Sequence, residues 1–330
     1  MNPILRSILR ILVALFGTLV FLFSVAAVAV TQPTFSVLPH LEGSRADPGR
    51  LRRDVGFLTR EASPRDSDHP ENLARAASYL RAQLAPNGAR VTEQTFQVRS
   101  RTYRNVVASF GPESGPVLVV GAHYDSFGDF GANPGADDNA SGTAGLVELS
   151  RLLAGHRLDR RVDLVAYANE EPPFFGSRNM GSAVHARSLT GRDVEGMICL
   201  EMIGYFTPRQ PAPGWLFRFL YPDRGDFIAV AGRWADRGLT RRVKRAMRSA
   251  GDLPVVSFTA PRRAGLDGSD QINYWDRGIS AVIVTDTADV RNPHYHTAGD
   301  RPETLDYRRM AKVVDGVANA VLHLAAGERD

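Results

Sequence analysis

The chain has 330 residues, a formal net charge of +4, 43% hydrophobic and 23% charged residues. The basic excess is small and scattered, apart from Arg241, Arg242, Lys244, Arg245 and Arg248, which read as the solvated face of one helix, so composition argues against nucleic acid as a partner. Cys199 is the only cysteine, which excludes an intrachain disulfide even if the chain is exported.

The N-terminus is not ordinary globular sequence. Ile11–Val30 (ILVALFGTLVFLFSVAAVAV) holds no charged residue, and about 20 apolar residues in a helix cross a bilayer core of ~30 Å. Arg6 and Arg10 precede the run, and the next basic residue is Arg45. The positive-inside rule then keeps residues 1–10 in the cytoplasm and places the rest on the far side of the cytoplasmic membrane. A signal segment cut near Ala27 and Ala29 is the competing reading, and the protein would then be secreted. The run exceeds the ~7–15 apolar residues of a usual signal core, which favours an uncleaved transmembrane anchor at 11–30. Residues 31–48 are polar and contain proline, and read as a linker. Residues 49–330, roughly 280, suffice for one large domain.

Within that domain, Leu73, Ala76, Leu80 and Leu84 give His69–Leu84 a helical spacing that Asn87-Gly88 ends. Arg90–Val98 alternates as a strand, and Tyr103–Phe110 follows it. Pro116–Ala122 (PVLVVGA) is a short apolar run of the kind found in a fully buried strand. Then come a helix at Ser141–Leu153, a strand at Val162–Ala168, a helix at Gly176–Leu189 and a strand at Val194–Met202. Phe227–Ala231, Val255–Phe258 and Ala281–Thr285 read as further strands. Ala235–Ser249, Gln271–Trp275 and Thr304–Ala325 read as helices. Strands alternating with helices predict an α/β layered sheet with an antiparallel contribution from the early hairpin.

In such sheets ligands bind beyond the carboxyl ends of the strands. His123 and Asp125 follow the first buried strand, and Asn169, Glu170 and Glu171 the second. Glu201 follows VEGMICL, and the loop after AVIVT carries His294 and His296. Asp137 and Asp138 lie in PGADDNASG, between the first strand and its helix. Each feature alone has a plainer reading. A His-x-Asp pair is often a satisfied hydrogen bond, adjacent glutamates are usually a solvated turn, and Asp-Asp-Asn is turn chemistry. Asn139-Ala140-Ser141 matches a glycosylation acceptor by three residues only. Convergence changes the balance. Carboxylates held together resist ionisation unless a cation neutralises them, and two histidines with three or four carboxylates suit one or two zinc ions. A metal pair about 3.5–4 Å apart needs a ligand that reaches both, as a carboxylate does with its two oxygens. The residues alone do not choose between Asp137 and Asp138. HExxH, GxSxG and GxxxxGK[ST] are absent, and Cys199, inside the apolar MICLEM, reads as a buried structural thiol.

GAHYDS, PGADDNASG, YANEEPPFFGS, LEMIGYF and NPHYHTAGDRPETLDY, in this order, resemble the M28 family of co-catalytic zinc peptidases, aminopeptidases related to the bacterial leucyl aminopeptidases. The resemblance runs from about His69 to the C-terminus. It implies a three-layer fold, a mixed and mostly parallel β-sheet flanked by helices, here preceded by the transmembrane helix. It also implies two zinc ions per chain, one held by His123 and Glu201, the other by Glu171 and His296. Asp138 bridges them, because the family's bridging aspartate precedes a Ser-Gly pair by two intervening residues, and the Asp138–Asn139 peptide bond is expected cis. Asp125 orients the His123 ring without touching metal. Glu170 is the implied general base, and Tyr295 resembles a tyrosine that hydrogen-bonds the oxyanion. Glu201 stands where the best-known aminopeptidases have aspartate. Gln271, in Ser269-Asp270-Gln271, departs from a usual histidine and is given no role. The substrates implied are peptides, cut at the N-terminal bond by zinc-activated water. Alternatives are a single-zinc glutaminyl cyclase, a carboxypeptidase or dipeptidase, and, last, a non-catalytic binding module. Trp215, Phe217, Phe219 and Tyr221 crowd PAPGWLFRFLYPDRG and either wall the pocket or anchor a surface loop. The oligomeric state is not legible.

Overall fold

A computed structural model describes residues 3–36, 38–39, 43, 45–128, 133–211 and 217–326. Helix α1 (Pro3–Thr31) is longer than the charge-free run, because Ile4, Leu5, Ile8 and Leu9 extend its apolar surface past Arg6 and Arg10. None of its residues is buried. It is the one helix among the described residues long and apolar enough to cross a membrane, a property an anchor shares with a signal segment.

Helix α2 (Pro48–Gly56) adds to the expected elements. Asp47 caps it by accepting from the amides of Gly49 and Arg50, Pro48 opens its first turn, and Leu51 and Val55 are buried. Helix α3 (Pro70–Leu84) buries the expected apolar stripe. The strands are β1 (Arg90–Val98), β2 (Arg101–Phe110), β3 (Val117–His123), β4 (Arg161–Tyr167), β5 (Val194–Leu200), β6 (Ile228–Arg233), β7 (Val255–Ala260) and β8 (Ala281–Thr285). They form one eight-stranded sheet in the order β1-β2-β4-β3-β5-β8-β6-β7. The central strands β4, β3, β5 and β8 run parallel. The β1–β2 hairpin joins β4 antiparallel. At the other side β6 and β7 are parallel to each other but β6 is antiparallel to β8. The remaining helices are α4 (Gly142–Leu153), α5 (Gly181–Ser188), α6 (Phe217–Leu220), α7 (Arg237–Arg248), α8 (Gln271–Trp275) and α9 (Tyr307–Ala325).

Alternation along the strands makes the three layers. Leu118 and Val120 of β3 pack with residues of α2, α3, α4, α7 and α9 on one face, while Val117 and Val119 pack with α5 and α8 on the other.

Some boundaries and one surface assignment differ from the sequence reading. α5 starts at Gly181 rather than Gly176, because Gly176 is left-handed (φ +70°) and the carbonyls of Phe174 and Ser177 close turns that precede the helix. α9 starts at Tyr307 rather than Thr304, where Asp306 caps the amides of Arg308 and Arg309. Lys244 does not belong to a solvated face: it is buried and donates to the carbonyls of Thr31 and Gln32.

Gly121, mid-way along β3, leaves room for the Tyr167 ring of the neighbouring strand, and a Cβ there would lie 2.2 Å from that ring. The substitution Gly121→Val is expected to cost ~1–3 kcal/mol through overpacking. Urea unfolding checks this as a lower midpoint with an unchanged slope.

Candidate metal centre

The chemistry-bearing residues meet beyond the carboxyl ends of the parallel strands. His123 is the last residue of β3, Glu170 and Glu171 follow β4, Glu201 follows β5, and His296 lies in the loop after β8. Asp138 comes from the turn Ala136–Ser141 that leads into α4. The Asp138–Asn139 bond is cis, as the family resemblance implied.

The distances sort these side chains into two groups that share one member. His123 Nε2 lies 3.3 Å from Asp138 Oδ1 and 3.2 Å from Glu201 Oε2. His296 Nε2 lies 3.1 Å from Asp138 Oδ2 and 3.5 Å from Glu171 Oε2. Within each triad the donor atoms lie within 4.8 Å of one another. Asp137 turns elsewhere: its carboxylate accepts from the Gly204 amide (3.0 Å) and from Asn292 Nδ2 (2.9 Å). The structure thus separates the two adjacent aspartates, one facing both histidines and one tying loops together.

His123, Asp138, Glu170, Glu171 and Glu201 are buried and His296 is partly so. Among the described residues the only ion-pair partners of the four acids are the two histidines. Burial therefore pushes the carboxyls of Glu170 and Glu201 above their ordinary value, and burial with Asp138 nearby takes Glu171 up to about 7. Burial works against charge on Asp138 too, but hydrogen bonds to His123 and His296 hold its carboxyl well below the usual range. Burial disfavours the His296 imidazolium, yet Asp138 and Glu171 lift it to about 10. His123 is likewise raised, Glu201 and Glu170 overcoming its burial. Without a cation the cluster balances its charge by retaining protons. Glu171 Oε1 is also buried with no hydrogen-bond partner. A nitrogen-and-carboxylate donor set with an orphaned oxygen fits zinc.

A layer of polar groups fixes the donors. His123 Nδ1 lies 3.2 Å from the Asp125 carbonyl and 3.5 Å from its Oδ1, while Asp125 Oδ2 accepts from the Glu171 amide at 3.0 Å. Asp125 thus touches both triads. The Asp300 carboxylate accepts from the amides of Asp137 (2.9 Å) and Asp138 (3.0 Å). Asn139 donates to the Leu200 carbonyl and to Glu201, and Ser269 donates to Glu201 at 2.6 Å. Arg65 is fully buried and donates to the carbonyls of Leu58, Tyr124, Pro134 and Gly135, bracing the loop that carries Asp138. Of these props, sequence reasoning named Asp125 and missed the others. Asp300, Asn139 and Ser269 lay inside motif blocks without a role, and Arg65 lay in none. Asn139 is buried, so the glycosylation match is sterically closed.

Other candidates fall at the margins. The Tyr295 ring stacks on His296 with centroids 3.8 Å apart, and burial raises its phenol. His294 packs edge-on against Tyr205 and joins neither triad. Gln271 is buried and donates to the Leu266 carbonyl. Cys199 is buried beside Ser269. A cavity of about 610 Å³ opens next to Glu201 and Tyr295, with Phe227, Val256, Phe258 and Ile283 among its walls. Of the four aromatics in the PAPGWLFRFLYPDRG segment, Tyr221 lines this cavity and Phe219 is exposed. Trp215 and the Phe217 side chain lie outside the described residues.

Residues 105–321 match the model of peptidase family M28. The Escherichia coli protein YfbL, itself uncharacterized, is 46% identical over 312 residues, 91% of this chain and 95% of that protein. Leucine aminopeptidase 1 of Ajellomyces dermatitidis is 29% identical over 230 residues, covering 65% of this chain and 55% of its own length. Among solved structures, LapB from Legionella pneumophila aligns with a TM-score of 0.67 at 22% identity, covering 85% of this chain and 72% of that one. A glutaminyl cyclase from Bacteroides thetaiotaomicron aligns at 0.65 and 18% identity, covering 87% and 100%. At such identities these two structures establish the fold.

Two outcomes follow from this geometry. Asp300→Ala strips two buried amides of their acceptor, and zinc affinity should fall ~10–100-fold, read by chelator competition; unchanged affinity would show that the amides do not position Asp138. Zinc added to metal-free protein at pH 7 should release protons from both His123 and His296, since the proton each ring retains must leave before it can ligate. The release should shrink as pH rises through about 10, and an indicator titration in weak buffer measures it.

Proposed function

The chain belongs to peptidase family M28, and from that premise we propose that it is a membrane-anchored aminopeptidase with two zinc ions in its extracytoplasmic domain. One observation carries the reading: Asp138 turns each carboxylate oxygen to a different histidine. In this reading His123, Asp138 and Glu201 hold one ion, and Asp138, Glu171 and His296 hold the other. When bound, the ions supply an acidified water and a polarised carbonyl.

The chain's own side chains do the rest. Glu170 lies 3.9 Å from His123 Nε2, and burial raises its carboxyl well above the ordinary value. It takes a proton from the attacking water and returns it to the leaving amine. Tyr295, its phenol kept protonated by burial, donates to the oxyanion. Glu201 is longer than the aspartate of familiar relatives, and hydrogen bonds from Ser269 and Asn139 settle where its end lies. The cavity beside it takes the apolar side chain of the N-terminal residue, and Tyr221 is fixed as part of its wall by a hydrogen bond to the Ser257 carbonyl (2.7 Å). Among the described residues this cavity is lined by Glu201 and Asp289 and by no lysine or arginine. With Glu201 given to the ion in this reading, Asp289 is the charge left on the wall, and it suits a substrate ammonium over a carboxylate, which favours the amino end of a peptide over the carboxyl end.

The test compares free and N-blocked peptides with the zinc-loaded full chain. Free peptides with apolar N-termini should be trimmed and blocked ones left intact. Glu170→Gln should lower kcat by ~10²–10⁴-fold with zinc content unchanged. Asp138→Ala should lose both zinc and activity, while Asp137→Ala keeps far more of each. Equal cleavage of blocked peptides would sink the aminopeptidase reading. Ammonia release from an N-terminal glutamine without bond cleavage would assign cyclisation instead.

A further inference from the structure

The apolar helix does not leave the domain on a free tether. Thr259 Oγ1 donates to the Ala29 carbonyl, Ser257 Oγ to that of Thr31, and Lys244 Nζ to those of Thr31 (2.8 Å) and Gln32 (3.2 Å). Arg248 reaches the Thr34 carbonyl at 2.6 Å. The last carbonyls of a helix have no intrahelical partner, and a lysine there also meets the negative end of the helix dipole. α1 and the domain are therefore joined as one body.

The order of these contacts sets a direction. Ala29 meets position 259 and Thr31 meets 257, so β7 runs toward the span as α1 runs out of it. Arg248 meets Thr34 and Lys244 meets Thr31, so the first turn of α7 lies on the span side and its last turn away from it. Trp234, just before α7, is 50% exposed and its indole donates to the Thr259 carbonyl. Arg237, Arg241 and Arg263 are exposed at the same end. The nearby acids Asp236 and Asp276 are already engaged by Arg233 and Arg262. The charge-free run ends at Val30, which sets the hydrocarbon boundary there. The headgroup layer beyond it is about 5–8 Å deep, and indoles favour that layer.

We propose that this end of the domain rests on an anionic lipid surface through Trp234, Arg237, Arg241 and Arg263, and that the metal centre faces away from the membrane. β6 is antiparallel to β8, with Ala229 opposite Thr285 and Gly232 opposite Val282. The outgoing ends of β6 and β7 therefore lie at the opposite edge from the carboxyl ends of β3, β5 and β8 that carry the donors. The inference rests on reading α1 as a retained span.

The test uses the full chain in nanodiscs of equal phosphatidylglycerol and phosphatidylcholine, with pure phosphatidylcholine as the comparison. Cys199 is buried, so one introduced cysteine takes a fluorophore alone. Gly238 sits in the first turn of α7 and Gly251 three residues beyond its last residue, Arg248, and a Cβ at either meets no atom within 4 Å. Gly238→Cys and Gly251→Cys thus mark the span side of α7 and the loop that leaves its far end. A headgroup-level quencher lipid should quench the label at 238 about threefold more than at 251, and more in anionic than in neutral discs. Changing Arg237, Arg241 and Arg263 together to glutamine should at least halve the quenching at 238. Equal quenching at both positions, stronger quenching at 251, or no effect of the glutamine changes overturns the proposal. A chain that fails to enter the discs overturns the span and the proposal with it. None of these outcomes reads hydrolysis, so failure here and failure of the aminopeptidase reading are separable.

Discussion

A buried carboxylate placed between two imidazoles is the constraint on which the rest of the site depends. Four acids in a poorly hydrated space repel one another and lose hydration, and only cations or retained protons can offset both costs. Asp138 is the member that stays ionised, because each of its oxygens has its own histidine. The surrounding polar groups make sense in that light. Asp300 pins the amide of Asp138, Arg65 pins the loop before it, and Asp125 links His123 to the Glu171 backbone. Backbone strain gathers at the same place: Asn169, Met202 and His296 are non-glycine residues with φ near +50° to +62°; His296 is a donor, Met202 adjoins the donor Glu201 and Asn169 adjoins Glu170.

The donors were legible because each follows a buried strand, and a buried strand announces itself as a short apolar run. The helix stripes of α3 and α9 were legible through their period. Arg65 and Asp300 were not, since one residue that bonds a distant backbone leaves no periodic trace. The choice between Asp137 and Asp138 came from family resemblance rather than from spacing. The direction of β6 and β7 was hidden for another reason: an apolar run that is buried on both faces reads the same in either direction. Lys244 looked like its arginine neighbours because its partners are the carbonyls of the N-terminal helix, far away in the chain. α2 carried an Asp47-Pro48 start signal, which nine residues of helix were too short to amplify.

β7 shows how one edge strand serves two surfaces. Val256 and Phe258 face the cavity, while Ser257 and Thr259 hold the end of α1. Successive side chains of a strand alternate, so the wall of the cavity and the seat of the anchor are fixed by the same six residues. A shift of one would disturb the other, which gives the hydrogen bonds at the helix end a bearing on the cavity.

The scatter of the donors along the chain has a thermodynamic consequence. The bond between Asp137 and Asp300 spans 163 residues, and the donor segments before it are themselves far apart. An unfolded chain pays a loop-closure cost for each such approach, so it offers a cation no assembled set. A cation that suits these residues binds the folded form alone, and it stabilises that form by about 2.7 kcal/mol at a hundredfold excess over its dissociation constant. With no disulfide available to lock the domain, the free metal level of the compartment in which it folds becomes a term in its stability.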